Sequence, residues 1–155
     1  MIATSSGVRA GGRERYAAPV TDLGLWLHQD MLAVVRLSPE QAVPSWGAHG
    51  LLSSVTRTDG ELSIVCGWST VPDDTPKVGP WRAFAVVGPL DFSLVGVLAR
   101  LTAILADAGI PVFVISTHDT DWILVRAERA DAAGAAFEAA GVSVATAGQD
   151  ASDVT

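Results

Sequence analysis

Cysteine is nearly absent from this chain, because Cys66 is the only one in 155 residues. A disulfide within the chain is therefore impossible, and a thiolate metal site lacks the further ligands that it needs. The histidines, His28, His49 and His118, show no spacing typical of a metal site. We therefore expect Cys66 to be a small buried apolar residue, and we expect no metal and no cofactor.

Charged residues are also scarce, at 17% of the chain, and the balance is acidic, with a formal net charge of -7. The basic residues are scattered and form no run that would follow a phosphate backbone, so we expect no nucleic-acid partner. A surface this poor in charge points to a buried subunit interface and hence to a homodimer. The many Ala, Gly and Arg residues beside a single Lys indicate a bacterial protein.

Long hydrophobic runs are missing as well. No stretch approaches the roughly 20 apolar residues of a membrane span, and no apolar core follows the basic N-terminus as it does in a signal peptide. We therefore expect a cytoplasmic protein with no membrane partner. The phosphate-loop, dinucleotide and Gly-x-Ser-x-Gly patterns are absent too, which argues against nucleotide binding and serine hydrolysis.

The chain does have enough apolar residues, 49%, to bury a sizeable core. In its first half, the apolar run Met31–Leu37 is typical of a buried strand. Two further apolar runs flank residues 57–60, whose Asp-Gly pair is typical of a hairpin turn. A Pro-rich segment follows at 72–80, and we place a domain boundary there. We divide the chain into a disordered extension at 1–22, a reduced first unit at 23–78, a second unit at 79–147 and a disordered tail at 148–155.

The second half predicts the order strand, helix, strand, strand, helix, strand. Apolar residues recur in steps of three and four from Leu94 to Ala108, which predicts one helix, and Asp131 begins an Ala-rich second helix. Gly109 and Gly141 suit the left-handed position after each helix. This order is that of the α+β ferredoxin-like fold, an antiparallel sheet with both helices on one face. The first half follows the same plan with its helices reduced. The predicted strands of the second half lie at 82–87, 111–115, 122–125 and 142–144.

Two phrases of sequence carry a family resemblance: GPLDFSLVG at 88–96 and ISTHDTD at 115–121. Together with GVLAR at 96–100 and LADAGI at 105–110, they resemble ACT domains. The match is closest to a group of small bacterial tandem-ACT proteins, and it is similar to the ACT domains of the animal arginine-sensor subunits and of aspartate kinases. The resemblance implies two βαββαβ ACT units and a regulatory protein, not an enzyme. It also implies that a free amino acid binds at an interface between ACT units.

The chemistry of these phrases suits a zwitterionic ligand. A helix opening near Leu94–Gly96 offers free amides and the positive end of the helix dipole to a carboxylate, while Asp91 can accept from an ammonium group. Each residue also has a structural alternative: Asp91 and Ser93 can cap the helix, and Gly96 can serve close helix packing. Ser116 and Thr117 can simply end a strand. The predicted ligand-binding residues are Asp91, Phe92, Ser93, Leu94, Val95, Gly96, Ser116, Thr117, His118 and Asp121.

Two other functions remain open from the sequence. One is a protein-interaction module with no small ligand, which the low charge content allows. The other is a small enzyme that uses His118 and Asp121 as an acid–base pair. The tryptophans are expected to pack in the core or at an interface. Trp122, which starts a strand beside the predicted site, is the one that we expect to be nearest a ligand.

Overall fold

The structure is a computed structural model that describes residues 23–88 and 95–148. Its regular elements are mixed, as expected for an α+β protein. The strands are β1 (Gly24–Leu27), β2 (Leu32–Leu37), β3 (Ser54–Arg57), β4 (Leu62–Gly67), β5 (Val78–Val86), β6 (Phe113–Ser116), β7 (Asp121–Arg126) and β8 (Ser143–Thr146), and the helices are α1 (Val97–Asp107) and α2 (Ala130–Ala139).

The eight strands form one sheet whose centre is β5. One edge of β5 is shared: its first residues pair with β2, and its last residues pair with β1. Its other edge pairs with β7, which in turn pairs with β6. Because β5 begins at Val78 and continues across the expected boundary near residue 79, the two predicted units share a strand. The expected two sheets are therefore one continuous sheet.

The second half has the predicted order of strands and helices, with one strand added from the first half. Strand β1 lies between β5 and β8, antiparallel to β5 and parallel to β8. We had expected a four-stranded antiparallel sheet, so the parallel pairing of β1 and β8 is a departure from it. The reason is packing, because Leu25 and Leu27 of β1 are buried in the core beneath the helices.

Both helices pack on one face of this sheet, as predicted. Leu101 and Leu105 of α1 and Phe137 of α2 are fully buried against it. Phe84 of β5 meets Phe137 edge to face, with ring centroids 5.2 Å apart, a favourable arrangement of aromatic rings. Helix α1 begins at Val97, later than the predicted opening near Leu94.

The other face of the sheet is covered by the first half of the chain, which folds over it. Leu32, Leu52 and Val65 pack there against Ala83 of β5 and Leu124 of β7. The predicted hairpin is confirmed as β3 and β4, with an antiparallel register from Arg57 opposite Leu62 to Ser54 opposite Val65. The first half has short 3-10 turns at Ser45–Ala48 and Trp68–Thr70, at the two places where the second half has its helices.

The single thiol lies where the sequence predicts it. Cys66 is fully buried in the small core of the first half, beside Ala33, Val35 and Ile64. Burial raises the pKa of this thiol, and the Thr70 hydroxyl and the Lys77 ammonium oppose the shift. Among the residues that the structure describes, no helix is long and apolar enough to cross a membrane.

Candidate functional site

The second phrase that carries the family resemblance lies at one end of the sheet, beside the end of the strand that leads into the first phrase. Strands β5 and β7 are antiparallel with Ala85 opposite Trp122, so the end of β5 lies beside the start of β7. The Thr120 hydroxyl, in the turn before β7, donates a 2.6 Å hydrogen bond to the Val86 carbonyl. This contact joins the β6–β7 turn to the strand that leads into the loop before α1. We use the name motif end for Ser116 to Asp121 together with Val95 to Val97, where α1 opens, because Val97 is buried in the same core as Ile123 of β7.

Ser116 and Asp121 form the last cross-strand pair of β6 and β7. Side chains alternate along a strand, so Asp121 lies on the same face as Ile123 and Val125, which pack beneath the helices. Ser116 is directly opposite Asp121 and shares that face. Ser116 is exposed and Asp121 is half-buried. A hydroxyl and a carboxylate therefore lie side by side at the motif end, on the helix side of the sheet.

The turn between these strands is closed by Thr117. Its amide and its hydroxyl both donate to the Thr120 carbonyl, at 2.9 and 2.8 Å. At the tip of the turn, His118 Nδ1 lies 2.8 Å from a carboxylate oxygen of Asp119, and the two side chains are 83% and 77% exposed. Thr117 thus has a structural role, and the imidazole of His118 lies in solvent.

Helix α1 opens at the motif end on Gly96. This residue has φ 84° and ψ 5°, a left-handed conformation that favours glycine over residues with a side chain. The Arg100 amide bonds to the Gly96 carbonyl at 2.9 Å, so the amides of residues 97–99 lie ahead of the first helical hydrogen bond. Val95 is exposed. The sequence suggested ligand approach or helix packing as the role of Gly96. Its backbone conformation, which favours glycine, is a third role. The predicted site residues Asp91, Phe92, Ser93 and Leu94 lie outside the described residues.

Trp122 lies on the sheet face opposite the helices. Its ring contacts that of His28, with centroids 5.3 Å apart and planes tilted by 32°. Trp26 of β1 and Trp122 of β7 both lie opposite Ala85 of β5, so the three residues form one row across the sheet. Partial burial lowers the pKa of His28, and the nearby Asp30 carboxylate opposes this effect. Trp122 therefore packs away from the side on which Asp121 lies.

A second feature, which the sequence did not predict, is a cleft of about 260 Å³ between the β3–β4 hairpin and β6. We call it the hairpin cleft. The signal was present in the alternation of the hairpin, because Ser54 and Thr56 share a face with Ser63 and Val65. That polar face becomes one wall of a cleft only because β6 lies opposite it in the folded protein. The residues that line the cleft are Ser54, Thr56, Ser63, Val65, Phe113, Val114, Ile115 and Ser116.

Comparisons with known proteins agree with this fold. A family model described as an ACT domain matches residues 78–139, and a second model, which describes an N-terminal domain, matches residues 30–74. The solved structure of protein Atu0741 from Agobacterium tumefaciens is 33% identical, with a TM-score of 0.76 over 83% of this chain and 96% of that one. The chain contains an ACT domain at residues 78–139. The ACT match runs from β5 through α1 and the β6–β7 turn to the end of α2.

More distant structures resemble this ACT protein in fold alone. A Vibrio cholerae protein of unknown function, described as a possible transport protein, is 19% identical, with a TM-score of 0.65 over 78% of this chain and 91% of its own. A structure of aspartokinase alpha and beta subunits is 15% identical, with a TM-score of 0.55 over 76% of this chain and 96% of its own. Among curated proteins, none matches the chain.

The described residues also bear on metal binding. Within 23–88 and 95–148, no group of three or more His, Cys, Asp or Glu side chains is placed to hold a metal ion. The groups that the motif end offers to a ligand are hydroxyls, backbone amides and the Asp121 carboxylate. These groups suit hydrogen bonding to a small polar molecule.

Proposed function

We propose that this ACT protein is a non-catalytic regulatory module that binds a free amino acid at the motif end. The observation that carries the proposal is the hydrogen bond from Thr120 to the Val86 carbonyl, which holds the β6–β7 turn against the end of β5. It supports one site formed by the Ser116–Asp121 pair and the start of α1, the helix that follows β5 in the chain.

The motif end offers complementary groups to the two ends of an amino acid. The amides of residues 97–99 precede the first hydrogen bond of α1 and carry the positive end of its dipole, which suits a carboxylate. The Asp121 carboxylate and the Ser116 hydroxyl can accept from an ammonium group. Asp91, Phe92, Ser93 and Leu94 remain part of the proposed site, as do Val95, Thr117 and His118.

We further propose that the site is completed at an interface between ACT units of two copies, in a cytoplasmic homodimer. Among the residues described at the motif end, Ser116 and Val95 are exposed and thus accessible to a second copy. The low charge content, 17%, suits a chain that buries part of its surface in a dimer. A ligand that contacts both copies would stabilise the dimer by mass action.

The test is a thermal unfolding screen of the whole chain against the twenty amino acids at millimolar concentration, with sedimentation velocity on any that bind. We expect at least one amino acid to raise Tm and to favour the dimer, since binding to the folded state alone stabilises it. Asp121→Asn should abolish the shift. Asp119→Asn is the matched control, because Asp119 lies at the exposed tip of the same turn. If none of the twenty changes Tm, or if both variants respond alike, the proposal is wrong.

The enzyme alternative finds little support in the geometry. His118 is 83% exposed, and its close partner among the carboxylates is the equally exposed Asp119, not Asp121. Protein interaction without a small ligand is favoured by one observation, the 42% exposure of Trp26 on the sheet face opposite the helices. A stable complex with another polypeptide that no amino acid affects would favour that function over ligand binding.

A further inference from the structure

We propose that the hairpin cleft is a second ligand site, and that it takes one small, electrically neutral amino acid such as serine or alanine. The cleft and the motif end share Ser116 and otherwise lie on different sides of the sheet. Phe113 and Ile115, which line the cleft, pack on the face away from the helices, whereas Asp121 lies on the helix face. The assignment therefore goes beyond amino-acid binding at the motif end and does not depend on it.

One wall of the cleft carries the hydroxyl groups of three side chains. Ser54, Thr56 and Ser63 lie on one face of the hairpin, with Thr56 directly opposite Ser63. Within the described parts of the chain, none of these three hydroxyls makes a hydrogen bond to another residue. Hydroxyls both donate and accept, so this wall can meet the ammonium group, the carboxylate or a small polar side chain of a ligand.

The opposite wall is the free edge of β6, which pairs with β7 on its other side. The Thr117 amide bonds to Thr120, and bonded and non-bonded pairs alternate along antiparallel strands. Ser116 and Val114 therefore direct their backbone N–H and C=O groups away from β7. These donors and acceptors lie two residues apart, about 7 Å, a spacing that suits the charged ends of one amino acid.

The absence of charge among the described lining residues and the volume of the cleft restrict the class of ligand that it can bind. Among the described residues that line the cleft, none carries a charge, and Val65, Phe113 and Ile115 are apolar. A cationic or anionic side chain would lose its hydration there without gaining a partner, which is costly. The volume of about 260 Å³ lies below the roughly 300–1,000 Å³ of sites for drug-sized ligands. A single short amino acid fits these limits, and a peptide or a nucleotide does not.

The test uses a matched pair of substitutions on one strand. Thr56→Val removes a cleft hydroxyl while keeping the shape of the side chain, and Val55→Thr makes the reverse change on the opposite face of β3. Both positions are exposed, so both variants should fold, which Tm without ligand checks. Isothermal titration of the full chain with L-serine, L-alanine, L-arginine and L-glutamate then measures binding. Asp121→Asn is titrated in parallel to separate the cleft from the motif end.

We expect L-serine and L-alanine to bind, and Thr56→Val to weaken L-serine binding about fivefold or more, the factor of a typical single hydrogen bond. Val55→Thr should leave binding unchanged, and Asp121→Asn should not abolish it. If Asp121→Asn abolishes binding while Thr56→Val does not, the cleft proposal is wrong and the motif-end proposal stands. Binding of L-arginine or L-glutamate that Thr56→Val weakens would overturn the ligand class. No binding of L-serine or L-alanine would overturn the second site.

Discussion

At the scale of single residues, glycines that look alike in sequence have different roles in the fold. Gly109 follows α1 with φ 66°, in the left-handed region that favours glycine. Gly134 lies inside α2 without a positive φ. A Cβ at either position would meet nothing within 4 Å, so packing does not distinguish them. The difference between the two is therefore one of backbone conformation alone.

This difference predicts that alanine substitutions at the two glycines change the free energy of unfolding in opposite directions. Gly109→Ala should destabilise the protein by about 1 kcal/mol, because an L side chain is strained in the left-handed region. Gly134→Ala should stabilise it by roughly 0.5–1 kcal/mol, because alanine loses less backbone freedom in a helix. Urea unfolding of the two variants beside the unsubstituted chain measures both effects. Changes of the same sign would contradict the conformations described for these two glycines.

Sequence patterns predicted some residue roles well and others poorly. Gly109 and Gly141 were expected after the helices, and both have a positive φ. Gly96 was interpreted as a place for close approach, yet its backbone adopts φ 84° at the opening of α1. A glycine required for conformation and one required for space look the same in a sequence. Only the dihedral angle separates them.

At the scale of elements, strand β1 had the least visible signal in the sequence. Strand β1 has four residues, and we placed the first strand from Met31 onward. Two alternating leucines, Leu25 and Leu27, are too few to establish a period of two. Their partners on β5 and β8 are distant in sequence, so no local pattern reveals the pairing.

The alternation along β1 gives a matched test of its place in the core. Leu25 is 1% exposed beneath the helices, whereas its neighbour Trp26 is 42% exposed on the other face. Leu25→Ala should cost about 2–5 kcal/mol of unfolding free energy, as buried leucines do. Trp26→Thr should cost less than half as much, since it keeps a good strand former and loses a partly exposed side chain. Chemical unfolding of the two variants measures this, and equal losses would rule out the pairing of β1 between β5 and β8.

At the scale of the whole molecule, opposing charge effects set how stability changes with pH. The formal net charge is -7 at pH 7 and the sequence pI is near 4.7, so acidification lowers the repulsion among carboxylates. His28 has the opposite effect on the stability of the folded protein as the pH falls. Burial beside Trp122 lowers the pKa of its imidazole in the folded protein, despite the nearby Asp30.

The direction in which His28 changes stability with pH follows from the linkage between proton binding and folding. Because its folded pKa lies below the unfolded value of about 6.5, the unfolded chain binds the proton more readily. The stability that His28 contributes is fully present above pH 6.5 and is lost as the pH falls towards the lowered pKa. We expect the difference between the unsubstituted chain and His28→Gln to shrink between pH 7.5 and pH 5, as measured by urea midpoints. A difference that stays constant over this range would contradict a lowered pKa.

The sequence by itself determined the α+β class, the order of elements in the second half, the β3–β4 hairpin and the burial of Cys66. These properties follow from local periodicity, turn chemistry and hydropathy, which act over a few neighbouring residues. It also indicated the two phrases on which the proposed ligand site at the motif end is based. The tertiary structure alone decided that β5 serves both halves, that β1 lies between β5 and β8 and that the hairpin faces β6 across a cleft. Those features depend on pairings between residues far apart in the chain, which no local pattern encodes.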